Sequence, residues 1–185
     1  MSLTETPICN FGEKGKNFNL LSTENKKISL DNVKGKNGTL IMFICNHCPY
    51  VKAVIRDIVE DVKHLETLGI KSVAIMSNDV KNYPEDSFEN MIAFSKLHNF
   101  SFPYLIDETQ DVAKKYGAVC TPDFFGYNKN SELQYRGRIR ELKNLKPVKE
   151  GESDLRMAMK QIATSGIGPK NQIPSMGCNI KWFNN

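Results

Sequence analysis

The stretch from Thr39 to Met76 constrains the fold more than any other part of the chain. Thr39 to Ile44 is a continuous apolar run, the pattern of a strand buried on both faces. Pro49 suits the first position of a helix, where its missing N–H costs nothing. Val51, Val54, Ile55, Ile58, Val62 and Leu65 then recur at three- and four-residue spacing as one apolar stripe. Gly69 stops that helix, and Ile70 to Met76 reads as a second buried strand. Strand, long helix and strand make a right-handed parallel βαβ unit.

The flanking segments are shorter and less regular. Residues 7–37, rich in Gly, Asn and Lys, suggest a hairpin-like N-terminal extension. Pro84 to Asn99 predicts a helix with Phe88, Met91, Ile92 and Leu97 inward. Pro103 to Ile106 is extended, and Gln110 to Tyr116 is a short helix ended by Gly117. Asp123 to Tyr127 and Leu133 to Gly137 predict two strands joined by the turn composition Asn128-Lys-Asn-Ser131. Asp154 to Thr164 is a last amphipathic helix, and residues 166–185 form a loop-like tail packed on the rest. A βαβ half followed by inserted helices, a hairpin and a closing helix is the plan of an α/β thioredoxin-like fold, a central mixed sheet flanked by helices. Residues 1–185 are expected to form one domain, with 1–37 as extension and 166–185 as tail.

A chain of 185 residues, 40% hydrophobic and 25% charged, buries a core without covalent staples. Its five cysteines are therefore not needed to hold it together. The net charge of +4 is spread among acidic residues, with no basic run interleaved with aromatics, so nucleic acid is not an expected partner. Met1 to Lys16 shows no secretory pattern, and the longest apolar run, Leu40 to Cys45, is too short to cross a bilayer. The expectation is a cytoplasmic protein without a membrane partner, whose cysteines are catalytic, metal-binding or simply buried.

Cys45-Asn-His-Cys48 falls where the first strand gives way to the helix. A C-x-x-C at that place in a βαβ unit is a redox signal. The helix start offers unpaired N–H groups and partial positive charge, which favour the thiolate, the nucleophile of exchange chemistry, at Cys48. Left in an extended strand, Cys45 has its Cα roughly 10 Å from that of Cys48, too far to bridge. A turn through Asn46-His47 brings positions three apart to within about 7 Å, so an intramotif disulfide stays open. The same two cysteines also fit as small residues packing a strand end. Cys45, His47 and Cys48 supply three soft ligands, but zinc wants a fourth, and only scattered candidates (Cys120, Cys178, His98) are present. No metal and no cofactor are assigned. His64 and His98 lie in helical patterns and read as surface or edge residues, and Cys9 as incidental.

With Cys48 in place, the chain resembles the redoxin superfamily, specifically its peroxiredoxin-like subgroup related to alkyl hydroperoxide reductase/thiol-specific antioxidant proteins. The matching segments are Phe43-Ile-Cys-Asn-His-Cys-Pro-Tyr-Val51, Ser77-Asn-Asp79 with Tyr83-Pro-Glu-Asp86, Cys120-Thr-Pro-Asp-Phe-Phe125, Tyr135-Arg-Gly-Arg138 and Pro174-Ser-Met-Gly-Cys-Asn-Ile-Lys-Trp182. The resemblance implies that Thr121-Pro122 is the cis-proline element facing the nucleophile and offering backbone groups to substrate, with Pro49 and His47 beside it. From the sequence alone Pro122 fits equally as a trans proline at a strand edge.

Three positions depart from the related patterns. Val51 stands where thioredoxin-like reductases carry their second cysteine. Cys45 stands where peroxiredoxins carry a threonine, and Thr121-Pro122 lies near where their arginine would fall, with Arg136 and Arg138 nearby in sequence. The expected function is an oxidoreductase in which Cys48 attacks a disulfide, or alternatively a hydroperoxide. Cys45, Cys120 or Cys178 (the last if the tail folds back) would resolve the intermediate, and a cellular thiol would reset the protein. The other reading is a non-enzymatic thioredoxin-fold module holding a metal or a partner.

Overall fold

The computed structural model describes residues 3–7 and 10–183. Strands β1 (Leu3–Glu5), β2 (Asn19–Ser22) and β3 (Lys27–Ser29) precede β4 (Gly38–Phe43), helix α1 (Pro49–Thr67) and β5 (Ile70–Met76). Helix α2 (Phe88–Leu97), β6 (Tyr104–Ile106), α3 (Asp111–Tyr116), β7 (Cys120–Thr121), β8 (Asp123–Asn128) and β9 (Leu133–Tyr135) follow. A small hairpin, β10 (Leu142–Lys143) and β11 (Lys146–Pro147), leads to α4 (Asp154–Ser165) and then to β12 (Met176–Asn179). Among the described residues no helix is long and apolar enough to cross a membrane.

Strand β4 explains the layers. Its residues are all buried, because alternate side chains pack on opposite faces of one sheet. Leu40 and Met42 join a cluster with α1 residues Val51, Ile58 and Leu65 and α4 residues Leu155, Met159 and Ile162. Ile41 and Phe43 join Val112 and Tyr116 of α3 and Phe125 on the other side. Val51, Ile58 and Leu65 are fully buried, each worth about 1.5–3 kcal/mol relative to exposure. Packing of this stripe, more than helix propensity, holds α1 in place.

The main sheet has seven strands in the order β3-β2-β6-β5-β4-β8-β9. Its centre, β4–β5–β6, is parallel, and β8 returns antiparallel to β4. This mixed sheet with helices on both faces is the thioredoxin-like fold that the resemblance implies. The predicted N-terminal hairpin is present as β2–β3, and β2 also pairs with β6, so the hairpin forms one edge of the sheet.

Two local readings are corrected. The single helix expected over Pro84–Asn99 is broken: Pro84–Asp86 is a separate 3-10 turn, and Ser87 is extended and caps α2, its Oγ accepting from the Asn90 amide at 3.3 Å. Leu97 turns outward, 74% exposed, because it lies about 120° of helical arc from buried Met91, and Phe94, about 60° from Met91, takes the inward place. The tail is not all loop, because β12 pairs with both β7 and β1 in a second, three-stranded sheet. That pairing shapes the site.

Candidate active site

The register of β8 on β4, with Phe43 opposite Asp123, sets Pro122 beside the loop that leaves β4. The Thr121–Pro122 peptide is cis. Cys48 is the last extended residue before α1, with Pro49 at the first helical position, so its sulfur lies at the positive end of a 19-residue helix. Cys48 Sγ is 3.1 Å from the Thr121 carbonyl oxygen and 3.0 Å from Cys178 Sγ. Among the described residues no disulfide is formed.

The donors around it pull the Cys48 thiol from its ordinary value down to about 5. The largest cause is hydrogen bonding from the Cys45 thiol; burial opposes it, and hydrogen bonding from the Cys178 thiol adds to it. No conventional capping bond forms at Cys48, but the Val51 amide still favours the thiolate. The Cys45 and Cys178 thiols move the other way, Cys178 up to about 12, so the cluster holds one thiolate among protonated partners. A depressed pKa leaves the thiolate dominant above that value. The far-ultraviolet thiolate absorbance of the reduced protein is expected to rise in a step centred near pH 5 that the Cys48→Ser variant lacks. A first step only near the free-thiol value of about 8.5 would contradict it.

The loop between Cys45 and Cys48 is held by Asp86, which is fully buried. One carboxylate oxygen accepts from the backbone amides of Asn46 (2.8 Å) and His47 (3.3 Å). The other accepts from His47 Nδ1 (2.7 Å) and Asn78 Nδ2 (2.8 Å). Burial by itself would raise this carboxyl; the His47 and Asn78 hydrogen bonds outweigh it, and the net shift is downward. The same contact raises His47, against an opposing effect of burial. The Tyr104 hydroxyl donates to Asn46 Oδ1 (2.9 Å), completing the clamp.

A profile of the AhpC/TSA family matches residues 11–141. The chain belongs to this family. Two solved structures are similar over almost its whole length. An uncharacterized conserved protein from Geobacillus kaustophilus is 37% identical, covering 100% of this chain and 98% of that one, with a TM-score of 0.94. A hypothetical protein from Sinorhizobium meliloti is 33% identical, covering 98% and 100%, with a TM-score of 0.91. A putative protein disulfide isomerase from Bacteroides thetaiotaomicron shares the fold at 16% identity, covering 90% and 96%, with a TM-score of 0.66. No curated protein matches the chain significantly.

In this AhpC/TSA chain the sequence-predicted site residues separate into two groups. Cys45, Cys48, Thr121 and Cys178 come together: Cys45 Sγ lies 3.4 Å from Thr121 Oγ1, and Cys48 reaches the Thr121 carbonyl and Cys178. His47 and Pro49 flank them, the His47 ring stacking on Tyr83. Cys120 turns away; its thiol donates to the Pro122 carbonyl at 3.6 Å, and burial pushes it far up, so it stays protonated. Cys9 lies outside the described residues.

Neither nearby arginine serves the thiol. Arg136 is bound to Asp123 (3.0 Å) and the Gly117 carbonyl (2.7 Å), and Arg138 to Asp154 (2.7 Å). For a metal, the trio among the described residues whose donor atoms gather within 4.8 Å is Cys45, His47 and Asp86, with Asp86 in place of Cys48. Asp86 and Asn78 received no role from the sequence, although both sit in segments that carry the family resemblance.

Proposed function

We propose that this AhpC/TSA chain is a thiol–disulfide oxidoreductase in which Cys48 attacks a disulfide and a second cysteine resolves the mixed disulfide. The observation that carries this reading is the Cys48 sulfur at the positive end of α1, touching both the carbonyl of the cis Thr121–Pro122 element and a second thiol. That arrangement supplies a thiolate, a neighbouring backbone polar group and an exchange partner, the three needs of disulfide chemistry. Cys45 helps hold the Cys48 thiol low, while Thr121, Pro122, Pro49 and His47 frame it. A cleft of about 170 Å³ lined by Tyr50, Val54, Pro122 and Met176 gives substrate room beside the proline. The substrates in this reading are protein or small-molecule disulfides, and a thiol reductant resets the enzyme.

Peroxide reduction is the weaker reading. Cys45 occupies the position of the expected threonine, and Arg136 and Arg138 are tied to Asp123 and Asp154. The test compares the anaerobically reduced protein against oxidised glutathione and hydrogen peroxide, with stopped-flow rates and peptide mapping. The expected result is modification of Cys48 and faster reaction with the disulfide. A far faster peroxide reaction would make the protein a peroxidase. Modification of other thiols while Cys48 stays reduced would remove Cys48 as the working group.

A further inference from the structure

Resting on the Cys48 reading above, we propose that Cys178 is the resolving thiol and that β12 is a hinged strand. It lifts from β7 to admit a disulfide to Cys48 and closes again to resolve it.

The first ground is access. Cys48 is fully buried, and its sulfur lies 3.0 Å from that of Cys178, which keeps 5% exposure. An external disulfide therefore needs a covering element to move before it reaches Cys48 Sγ, and β12 is the strand whose side chain touches that sulfur. The second ground is register. Strand β12 runs antiparallel to β7 with Cys178 opposite Thr121 and Asn179 opposite Cys120. It is this pairing that brings two sulfurs 130 positions apart in sequence to 3.0 Å, about 1 Å beyond bonding distance.

The third ground is how the strand is held. Its join to β7 has only two register pairs, with Ser175 Oγ donating to the Pro122 carbonyl beside them, while its other edge pairs with β1, which lifts with it. Its ends are tethered separately. Thr6 and Ser175 exchange hydrogen bonds before it, and Ile180 donates to Val119 O and Lys181 to Asn78 Oδ1 after it. A lifted strand therefore stays close enough to return. Close docking also needs Gly177, where a Cβ would stand 2.1 Å from the Thr121 carbonyl oxygen. Any side chain there pushes β12 off β7.

The chemistry balances. The Cys48 thiolate attacks one sulfur of the substrate disulfide, forming a Cys48–substrate disulfide and expelling the other half as a thiolate. Cys178 then gives up its proton and attacks Cys48 Sγ. The Cys48–Cys178 bond forms, and the second half of the substrate leaves as a thiolate that takes up a proton. Two electrons pass from the protein dithiol to the substrate, and an external thiol reductant returns them by the reverse exchange. Part of what holds the Cys178 thiol up is the Cys48 thiolate itself. That contribution vanishes once Cys48 is in the mixed disulfide, easing deprotonation at the step that needs it.

The experiment uses 5,5′-dithiobis(2-nitrobenzoate) on the full chain in a Cys9→Ser background, following release of the coloured thiolate and mapping the products. The expected result is two thiolates released per chain and a Cys48–Cys178 disulfide. The Cys178→Ser variant should release one and keep the probe on Cys48. The Gly177→Val variant should release the first thiolate at least tenfold faster and the second more slowly. A Cys45–Cys48 disulfide in the parent, or two thiolates from Cys178→Ser, would overturn Cys178 as resolver while leaving Cys48 the nucleophile. An unchanged first rate in Gly177→Val would overturn the hinged strand. Failure of Cys48 to react at all would overturn the Cys48 reading and this inference with it.

Discussion

The Cys48→Ser protein is expected to fold normally and to lose disulfide reduction by at least ~10³-fold, since removing an enzyme's nucleophile costs that much or more. The fold should tolerate the change, because serine is nearly isosteric and its hydroxyl still donates to the Thr121 carbonyl that Cys48 now meets. The chemistry should not, because the serine oxygen is neither ionised at neutral pH nor able to form a disulfide. Turnover of a protein disulfide with excess reductant is the measurement, alongside a melting temperature within a few degrees of the parent. Retained turnover in a correctly folded variant would remove Cys48 from the mechanism.

The size of the effect does not come from the lowered pKa alone. At pH 7 a thiol titrating at about 5 is almost all thiolate, against a few per cent for a free cysteine, a gain of roughly thirtyfold. Intrinsic nucleophilicity falls with pKa at a slope of about 0.4–0.5, which gives back a similar factor. The two nearly cancel. What the shift does provide is a good leaving group at Cys48 when a reductant attacks its partner sulfur, and reactivity that persists into acid. The rate advantage in attack must come from placement beside Thr121 and Cys178.

Those placements were unequally legible in the sequence. The β4–α1–β5 unit was readable because each element carries its own pattern, from Val51 through Leu65 on the helix and the apolar runs Leu40–Phe43 and Val73–Met76 on the strands. The β8–β9 hairpin was readable from the composition of its turn. The Asp86 clamp was not: it joins positions 39 and 40 residues apart through a single carboxylate, which leaves no periodic trace. Strand β12 was hidden for a related reason. Four residues that include a glycine and an asparagine have little strand character, and their partner β7 is only two residues long. Met176-Gly-Cys-Asn179 becomes a strand because edges of β1 and β7 are there to receive it. Leu97 faces outward for a purely local reason: on the continuous helix from Phe88 it stands about 120° from buried Met91, outside the stripe that Phe94 completes.

Replacing Arg136 with leucine is expected to be the most destabilising single change near the site, by about 3–5 kcal/mol, the usual cost of stranding one partner of a buried ion pair. Asp123 is completely buried, and Arg136 reaches it with two guanidinium nitrogens, at 3.0 and 3.4 Å. The same guanidinium lies 4.5 Å from the Phe125 ring centroid and donates to the Gly117 carbonyl. Burial pushes the Asp123 carboxyl up even with Arg136 present, and the guanidinium opposes that rise. Without Arg136 the carboxyl is expected to take up a proton at a higher pH still. The sign of the pH dependence follows. Between the unfolded and folded pKa values the folded variant binds more protons than the unfolded chain, so its stability rises as pH falls. The deficit relative to the parent should therefore be largest near neutral pH and shrink in mild acid. Because Asp123 directly follows the cis Thr121–Pro122 bond and pairs with Phe43 at the end of β4, the damage falls on the wall of the thiol site. A melting temperature lowered by roughly 10 °C at neutral pH is expected, with much of it recovered when Asp123→Leu is added, since removing both charges leaves none stranded. A single Arg136→Leu variant that melts with the parent at neutral pH would show that the pair does not hold this strand in place.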